Sequence, residues 1–259
     1  MNPDWLQPDW PAPARVKALC TSRSGGASGG AYGSFNLGDH VGDAPAAVAA
    51  NRAALARVVG VRPVFLSQVH GTQVHALDAA SLDGQAADAA VSQQTGVACT
   101  IMVADCLPVL LTDLQGRRVA AAHAGWRGLA GTSDQGVLET TYKAFRAPAL
   151  DGIGVVATEI IAWLGPCIGP QAFEVGDEVR QAFVAHDPAA AAMFAAGAPD
   201  KWWANLAGLA RQRLAALGVQ QVFGNDGSPA WCTVSQPSRF FSHRRDRISG
   251  RMAACIWLV

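Results

Sequence analysis

The chain has no excess of charge of either sign: twenty lysine and arginine residues stand against twenty aspartate and glutamate residues. A balanced chain lacks the long-range field that draws basic proteins to nucleic acid or to anionic membranes. No stretch is long and apolar enough to span a bilayer, and the N-terminus lacks the charged and then apolar segment of a secretory signal. We therefore expect a cytoplasmic protein with no nucleic-acid or membrane partner.

Histidine is scarce, and the common local metal-binding motifs are missing. The sequence has six histidines and contains neither HExxH nor paired CxxC spacings. Its six cysteines should stay reduced in the cytosol, where cysteine serves as core filler, metal ligand or nucleophile. We also find no internal repeat and no clear linker, so residues 1–259 are interpreted as a single domain.

The hydrophobic pattern predicts an α+β fold. Residues 1–14 are rich in proline and predict an extended N-terminal arm. Apolar runs with β-branched residues predict strands over 16–21, 64–70, 73–78, 96–113, 117–125, 159–166 and 251–259. Three-to-four spacing predicts helices over 45–60, 133–147, 171–187 and 202–217. These elements do not alternate strictly between strand and helix, which favours α+β over a doubly wound parallel sheet.

Three potential ligands lie at predicted strand edges, each near a glycine or proline. They are His70 in SQVHG, Cys106 in VADCLP and His123 in AAHAGWRG. Two imidazoles and one thiolate suit zinc, and three protein ligands leave a fourth position for water or substrate, as in catalytic sites. A buried cysteine and two core histidines would fit the same pattern. A Cys106 nucleophile with His123 as its base would use the same atoms.

Several arginines offer bidentate contacts to phosphate. The predicted substrate or phosphate contacts are Arg23 and Asn36 in the glycine-rich loop, Arg127 after His123, and Arg244 near the C-terminus. Solvated surface positions are the alternative for these arginines. Asp105, next to Cys106, is a candidate general base, a partner that orients a metal ligand, or a cap of the turn before Pro108.

The order of motifs resembles the YfiH/FAMIN family, also called laccase-domain proteins. From about residue 21 to the C-terminus the same blocks follow one another at similar spacing: TSRSGGASGGAYGSFNLGDHVGD, SQVHGTQV, ADCLPVLL, AAHAGWRGLAGT, LGPCIGPQAFEVGDEV and FFSHRRDRISGRMAACIWL. One departure is His243, which stands where bacterial members commonly have tyrosine.

The resemblance implies a zinc ion held by His70, Cys106 and His123. Copper is the alternative ion, because it binds such ligands more tightly than zinc does. It implies phosphorolysis of adenosine, inosine, guanosine and S-methyl-5′-thioadenosine, together with deamination of adenosine. The implied fold has two packed mixed sheets flanked by helices, in α/β/β/α layers similar to cysteine hydrolases. We expect purine nucleosides and phosphate as ligands, and a monomer or homodimer.

Three other functions stay open at this stage. A copper-dependent polyphenol oxidase matches an older family label, but a laccase also has a multinuclear copper cluster, and only four histidines remain after the triad. The histidine count therefore excludes a complete laccase within one chain, although copper binds such ligands well. A cysteine or zinc hydrolase of peptidoglycan precursors would use Cys106. A non-catalytic zinc module would need a fourth ligand, such as Cys167 or His243.

Overall fold

The computed structural model describes residue 2 and residues 4–132, 135–147 and 159–259. The α-helices within these ranges are α1 (Pro45–Val59), α2 (Trp126–Ala130), α3 (Val137–Arg146), α4 (Asp177–Val184), α5 (Leu206–Ala216) and α6 (His243–Asp246). The strands are β1 (Val16–Cys20), β2 (Arg62–Phe65), β3 (Val74–Leu77), β4 (Ala89–Ser92), β5 (Val97–Val103), β6 (Leu107–Asp113), β7 (Val119–Ala124), β8 (Ile160–Leu164), β9 (Glu174–Gly176), β10 (Phe194–Ala196), β11 (Lys201–Ala204), β12 (Gln221–Gly224) and β13 (Met252–Leu258).

Two mixed sheets form the centre of the fold. A four-stranded sheet has the order β1-β13-β5-β2, and a six-stranded sheet has the order β12-β8-β6-β7-β4-β3. In the first sheet β13 pairs antiparallel with both β1 and β5, whereas β2 runs parallel to β5. In the second, β6 and β7 pair as antiparallel neighbours. A small third sheet, β10-β11-β9, packs against α4.

The core is divided into three layers by the alternation of side chains along the strands. Between the two large sheets lie residues such as Ile101, Leu110 and Ile256. The outer face of the six-stranded sheet packs against α3 and α5, and the outer face of the four-stranded sheet packs against α1. The predicted α+β class and its α/β/β/α layers are therefore confirmed.

Local sequence explains where α1 begins and ends. Pro45 occupies the first turn, where its missing N–H needs no partner. Gly60 ends the helix with a φ of 75°, in the left-handed region that favours glycine. The predicted helix over 45–60 is thus confirmed almost to the residue.

Two predicted helices begin too early in the sequence. The segment 171–187 begins with a turn and strand β9 and becomes helical only at Asp177. The segment 202–217 is strand β11 before α5. Strands β9 and β11 pair with each other in the small sheet, where Val175 lies opposite Trp202. Tertiary pairing therefore overrides the local helical periodicity. The predicted helix 133–147 is confirmed as α3, although residues 133–134 lie outside the described ranges.

Several connecting segments are themselves buried, among them residues 35–38 and 240–242. Near the N-terminus, Leu6 forms a single antiparallel bridge with Cys20 at the end of β1. In the part of the chain that the structure describes, no helix has both the length and the apolar character needed to cross a bilayer.

Candidate metal centre

His70 is held in the loop that follows β2. The side chain of Gln68 donates to the Met102 carbonyl and accepts from the Met102 N–H, both at 2.8 Å, so it extends the pairing of β2 with β5. His70 itself has a φ of 59°. A left-handed backbone is uncommon in a non-glycine residue, and such conformations cluster at functional sites.

Cys106 lies at the bend between β5 and β6. The preceding residue, Asp105, has a φ of 89°, and its carbonyl accepts from the Ile168 N–H at 2.9 Å. Both carboxylate oxygens of Asp105 accept hydrogen bonds at 2.6 Å, one from the Thr233 hydroxyl and one from the Arg244 N–H. Asp105 thus fixes the bend that presents Cys106 and anchors the start of α6.

His123 comes from β7, where it lies opposite Pro108 of β6. Its backbone N–H donates to the Asp88 carbonyl at 2.7 Å, and its Nδ1 lies 2.8 Å from Asp88 Oδ1. The Asp88 carboxylate also accepts from the N–H groups of Val69, His70 and Gly71, at 3.2, 2.9 and 2.7 Å. One buried carboxylate therefore ties the His70 loop to the His123 side chain.

The three predicted ligands converge. The ligand atoms of His70, Cys106 and His123 all lie within 4.8 Å of one another. Cys106 Sγ is 3.8 Å from His70 Nε2, and the two imidazole rings meet edge to face with centroids 4.8 Å apart. His123 is buried, Cys106 is partly exposed and His70 is exposed, so the cluster opens toward solvent on one side.

This donor set fits a tetrahedral metal ion. A zinc ion with Zn–S of about 2.3 Å and Zn–N of about 2.0 Å places S and N about 3.5 Å apart, close to the observed 3.8 Å. Because Asp88 bonds His123 Nδ1, Nε2 is left free as the ligand atom, as in carboxylate–histidine–metal arrangements. The absence of a side chain at Gly125 leaves room for two of these residues. A Cβ at this position would lie 2.9 Å from His70 Cδ2 and 3.0 Å from Cys106 Sγ.

The electrostatics of the cluster favour a deprotonated thiol. Burial opposes the charge on Cys106, but the charge of His123 and hydrogen bonds from both imidazoles lower the pKa of Cys106 to about 6. Burial likewise opposes the charge on His123, whereas the Cys106 thiolate and the hydrogen bond to Asp88 raise the pKa of His123 to about 9. A thiolate and an imidazolium are therefore paired in the metal-free site, and metal binding releases a proton.

A cavity of about 380 Å³ opens onto this cluster. Its apolar lining comes from Met102, Val103, Trp126, Ile168, Phe173 and Leu206. Its polar lining, besides the cluster and Asp105, comes from His40, Gln68, His243, Arg244, Arg247 and Arg251. The volume and the mixed lining suit a small ligand that has both an aromatic and a charged part.

The predicted phosphate contacts are spread over different parts of the fold. Arg244 lines the cavity, with its Nη1 donating to the Glu174 carbonyl at 3.0 Å. The Arg23 guanidinium bonds the carbonyls of Gly33 and Pro237, and Arg127 stacks on Trp126 with 4.5 Å from Cζ to the ring centroid. Arg23, Arg127 and Asn36 are not among the described residues that line the cavity.

Asn36 is fully buried, and its side chain organises the glycine-rich loop. Its amide donates to the Gly38 carbonyl and to Asp43, and its oxygen accepts from the N–H groups of Gly38 and Arg251. Its contact with the cavity is thus through the backbone of Arg251.

The sequence did not point to Asp88, Gln68, Arg247 or Arg251. Asp88 had the clearest signal, because it interrupts the small apolar stretch AADAAVS, and a buried acid needs partners. Cys167 and His243, the candidate fourth ligands, lie outside the ligand group found among the described residues. Burial raises the pKa of the Cys167 thiol, which donates to the Ile168 carbonyl.

The family model for the multi-copper polyphenol oxidoreductase laccase family matches residues 17–259, so the chain belongs to that family. The resemblance to the YfiH family is confirmed by individual relatives. The chain is 50% identical over 255 residues to the purine nucleoside phosphorylase PA4543 of Pseudomonas aeruginosa, and 47% identical over 256 residues to the purine nucleoside phosphorylase YfiH of Escherichia coli K12. Each alignment covers 98% of both chains.

Solved structures give the same result for the fold. The protein NMB0706 of Neisseria meningitidis superposes with a TM-score of 0.88 at 48% identity, covering 98% of this chain and 99% of that one. YlmD of Geobacillus stearothermophilus also gives 0.88, at 28% identity, covering 100% of this chain and 97% of that one. The fold and the arrangement of its sheets are therefore those of the family.

Proposed function

We propose that the protein is a zinc-dependent purine nucleoside phosphorylase that also deaminates adenosine. The observation that carries the proposal is the open cluster of His70, Cys106 and His123 at a cavity with aromatic and cationic walls. The names of the relatives at 43–50% identity support the phosphorylase activity. The donor set supports zinc over a hard metal, because thiolate and imidazole are the ligands that zinc prefers.

Different residues of the cavity are suited to the purine base and to the phosphate. Trp126 and Phe173 offer aromatic faces for a purine base, and guanidinium groups offer forked donors for phosphate. A zinc ion held by the triad would supply Lewis-acid stabilisation to a substrate atom at its open coordination position. Asp88 keeps His123 in the tautomer and orientation that such binding requires.

In phosphorolysis a phosphate oxygen forms a bond to C1′ while the bond from C1′ to the purine nitrogen breaks. The electron pair of the broken bond leaves with the purine, and the attacking anion must be held in line with that bond. Fixed positive groups and donors in the cavity therefore act where charge develops in the transition state. In deamination a water oxygen adds to C6 and ammonia leaves, and Asp105 is the proposed group that moves the proton.

The test is chromatography of adenosine incubated with zinc-replete protein, with and without inorganic phosphate. Adenine should appear only with phosphate, inosine should appear without it, and both should vanish in His123→Ala. The matched control is His75→Ala on β3, which removes an imidazole outside the metal cluster and should leave both products. Intact adenosine after incubation with the wild-type protein would refute the proposal.

A cysteine hydrolase is the second candidate, and one geometric feature favours it. Cys106, His123 and Asp88 form a thiol–imidazole–carboxylate series, in which Asp88 bonds His123 Nδ1 at 2.8 Å. The same order of groups activates the nucleophile of cysteine hydrolases. This function predicts amide hydrolysis of peptidoglycan precursors by chelator-treated, metal-free protein. Loss of that hydrolysis on metal removal would exclude it.

A further inference from the structure

We infer that the phosphate-binding site consists of the guanidinium groups of Arg247 and Arg251, completed by Arg244, at the edge of the cavity. The inference rests on the proposed phosphorylase function and assigns its second substrate to residues. The chemistry recognised is a tetrahedral phosphate, which inorganic phosphate and the 5′-phosphate of a nucleotide both offer.

Arg251 is held firmly in its place. Its backbone N–H donates to Asn36 Oδ1 at 2.8 Å, and its Nη1 donates to the carbonyls of Ser249 and Gly250 at 2.9 and 3.1 Å. Its aliphatic stem packs against Gly38, where an added Cβ would lie 2.8 Å from Arg251 Cγ. A side chain fixed by such contacts loses little conformational entropy when it binds an anion.

Arg251 also lies close enough to the metal cluster for the negative charges of Cys106 and Asp105 to act on its guanidinium group. Burial lowers the pKa of the Arg251 guanidinium, while the charges of Cys106 and Asp105 act in the opposite direction. Burial outweighs these two charges, because the pKa of Arg251 is lowered overall, and a bound anion would offset the remaining cost of burying the cation. The residue is thus suited to an anion that arrives as a substrate.

Arg247 and Arg244 complete the cationic wall from the C-terminal side. Arg247 follows α6 in the left-handed conformation, with a φ of 61°, and is exposed. Arg244 is fixed by the bond of its N–H to Asp105 and lies over Phe173, 5.5 Å from Cζ to the ring centroid. All three side chains line the same cavity.

Unlike four other arginines in the described ranges, the three arginines of this wall have no ion-pair partner. Arg52, Arg117, Arg213 and Arg245 each pair with an aspartate or glutamate. Within the described ranges, no carboxylate forms an ion pair with Arg244, Arg247 or Arg251. The forked donors of a guanidinium match the oxygens of phosphate.

The experiment is isothermal titration of zinc-replete protein with inorganic phosphate, followed by steady-state kinetics with adenosine. Arg247→Gln and Arg251→Lys should each bind phosphate at least about tenfold more weakly, because each loses charge-assisted or bidentate contacts. The KM for phosphate should rise while the KM for adenosine and the zinc content are kept. Arg57→Gln, an exposed arginine at the end of α1, is the matched control and should behave as wild type.

The inference is overturned if both variants bind phosphate as the wild type does, or if only Arg23→Gln or Arg127→Gln weakens binding. It is also overturned if the wild type ignores inorganic phosphate but binds adenosine 5′-monophosphate through Arg247 and Arg251. Arg247 is exposed, so its substitution tests the site even if the Arg251 variant fails to fold. Phosphate binding without turnover would refute the proposed function and leave the site intact.

Discussion

Replacing Asp88 with asparagine should weaken metal binding strongly, although Asp88 is not itself a metal ligand. The carboxylate accepts four hydrogen bonds, from His123 Nδ1 and from the N–H groups of Val69, His70 and Gly71. Asparagine has a single acceptor oxygen, and its NH₂ group would face donors that it cannot bond. The change keeps the shape of the side chain and removes its charge and half of its acceptors.

The hydrogen bonds of Asp88 allow the loss of stability and the loss of zinc affinity to be estimated. Oδ2 alone accepts from Val69 and Gly71, and each buried donor without an acceptor costs about 1–3 kcal/mol. The unfolding free energy of metal-free protein should therefore fall by about 2–6 kcal/mol, and each kcal/mol lowers the Tm by about 2–4 °C in a chain of this size. Loss of the partner that orients His123 should reduce zinc affinity by about 10–100-fold.

Competition with a fluorescent chelator measures the zinc affinity, and thermal denaturation of metal-free protein measures stability. Asp9→Asn, an exposed aspartate in the N-terminal segment, is the matched control and should change neither quantity. A lower Tm with unchanged zinc affinity would show that Asp88 only supports the fold. An unchanged Tm as well would refute the hydrogen-bond argument itself.

Three further predictions concern the cluster and the glycine-rich loop. Gly125→Ala should lower zinc affinity at least about tenfold, since its Cβ would press on His70 and Cys106; unchanged affinity in the chelator assay would contradict this. Removing the metal should abolish adenine release, and stoichiometric zinc should restore it; undiminished release would refute a metal role. Burial opposes ionisation of Asp43, but hydrogen bonds led by that from Asn36 lower its pKa. Asp43→Asn should therefore unfold more easily at pH 7. The difference should shrink as the pH falls below about 4, where the unfolded state binds a proton first and the folded state binds one at a lower pH. A pH-independent difference in denaturant titrations would contradict that sign.

The candidate cluster could be predicted from sequence because the types and positions of its residues agree. His70, Cys106 and His123 each lie where an apolar strand ends near a glycine or proline, and such ends meet at a sheet edge. Contacts between residues that are far apart in the sequence bring these strand ends together. Asp88 is 35 residues from His123 in sequence, and only the register of β4 against β7 makes the two neighbours.

The arginines show why residue type alone does not locate a binding site. Arg23, and not Arg251, is the arginine predicted from the sequence as a phosphate contact. The Arg23 guanidinium nevertheless donates to the carbonyls of Gly33 and Pro237 and does not line the cavity. Arg251 is carried to the cavity by the bend before β13 and by its contact with Asn36. The deciding factors are long-range backbone contacts, which no local pattern encodes.

The same geometry also explains how one site can support two chemistries. Asp88 orients His123 whether Nε2 binds a metal or takes a proton from the Cys106 thiol. The proton balance separates the two states: the metal-free pair holds one proton between Cys106 and His123, and metal binding displaces it. Zinc affinity should therefore rise with pH through the neutral range, while a thiol enzyme would need the proton retained on His123. Measuring zinc affinity and metal-free hydrolysis over the same pH range shows whether the metal-bound or the metal-free site is the active one.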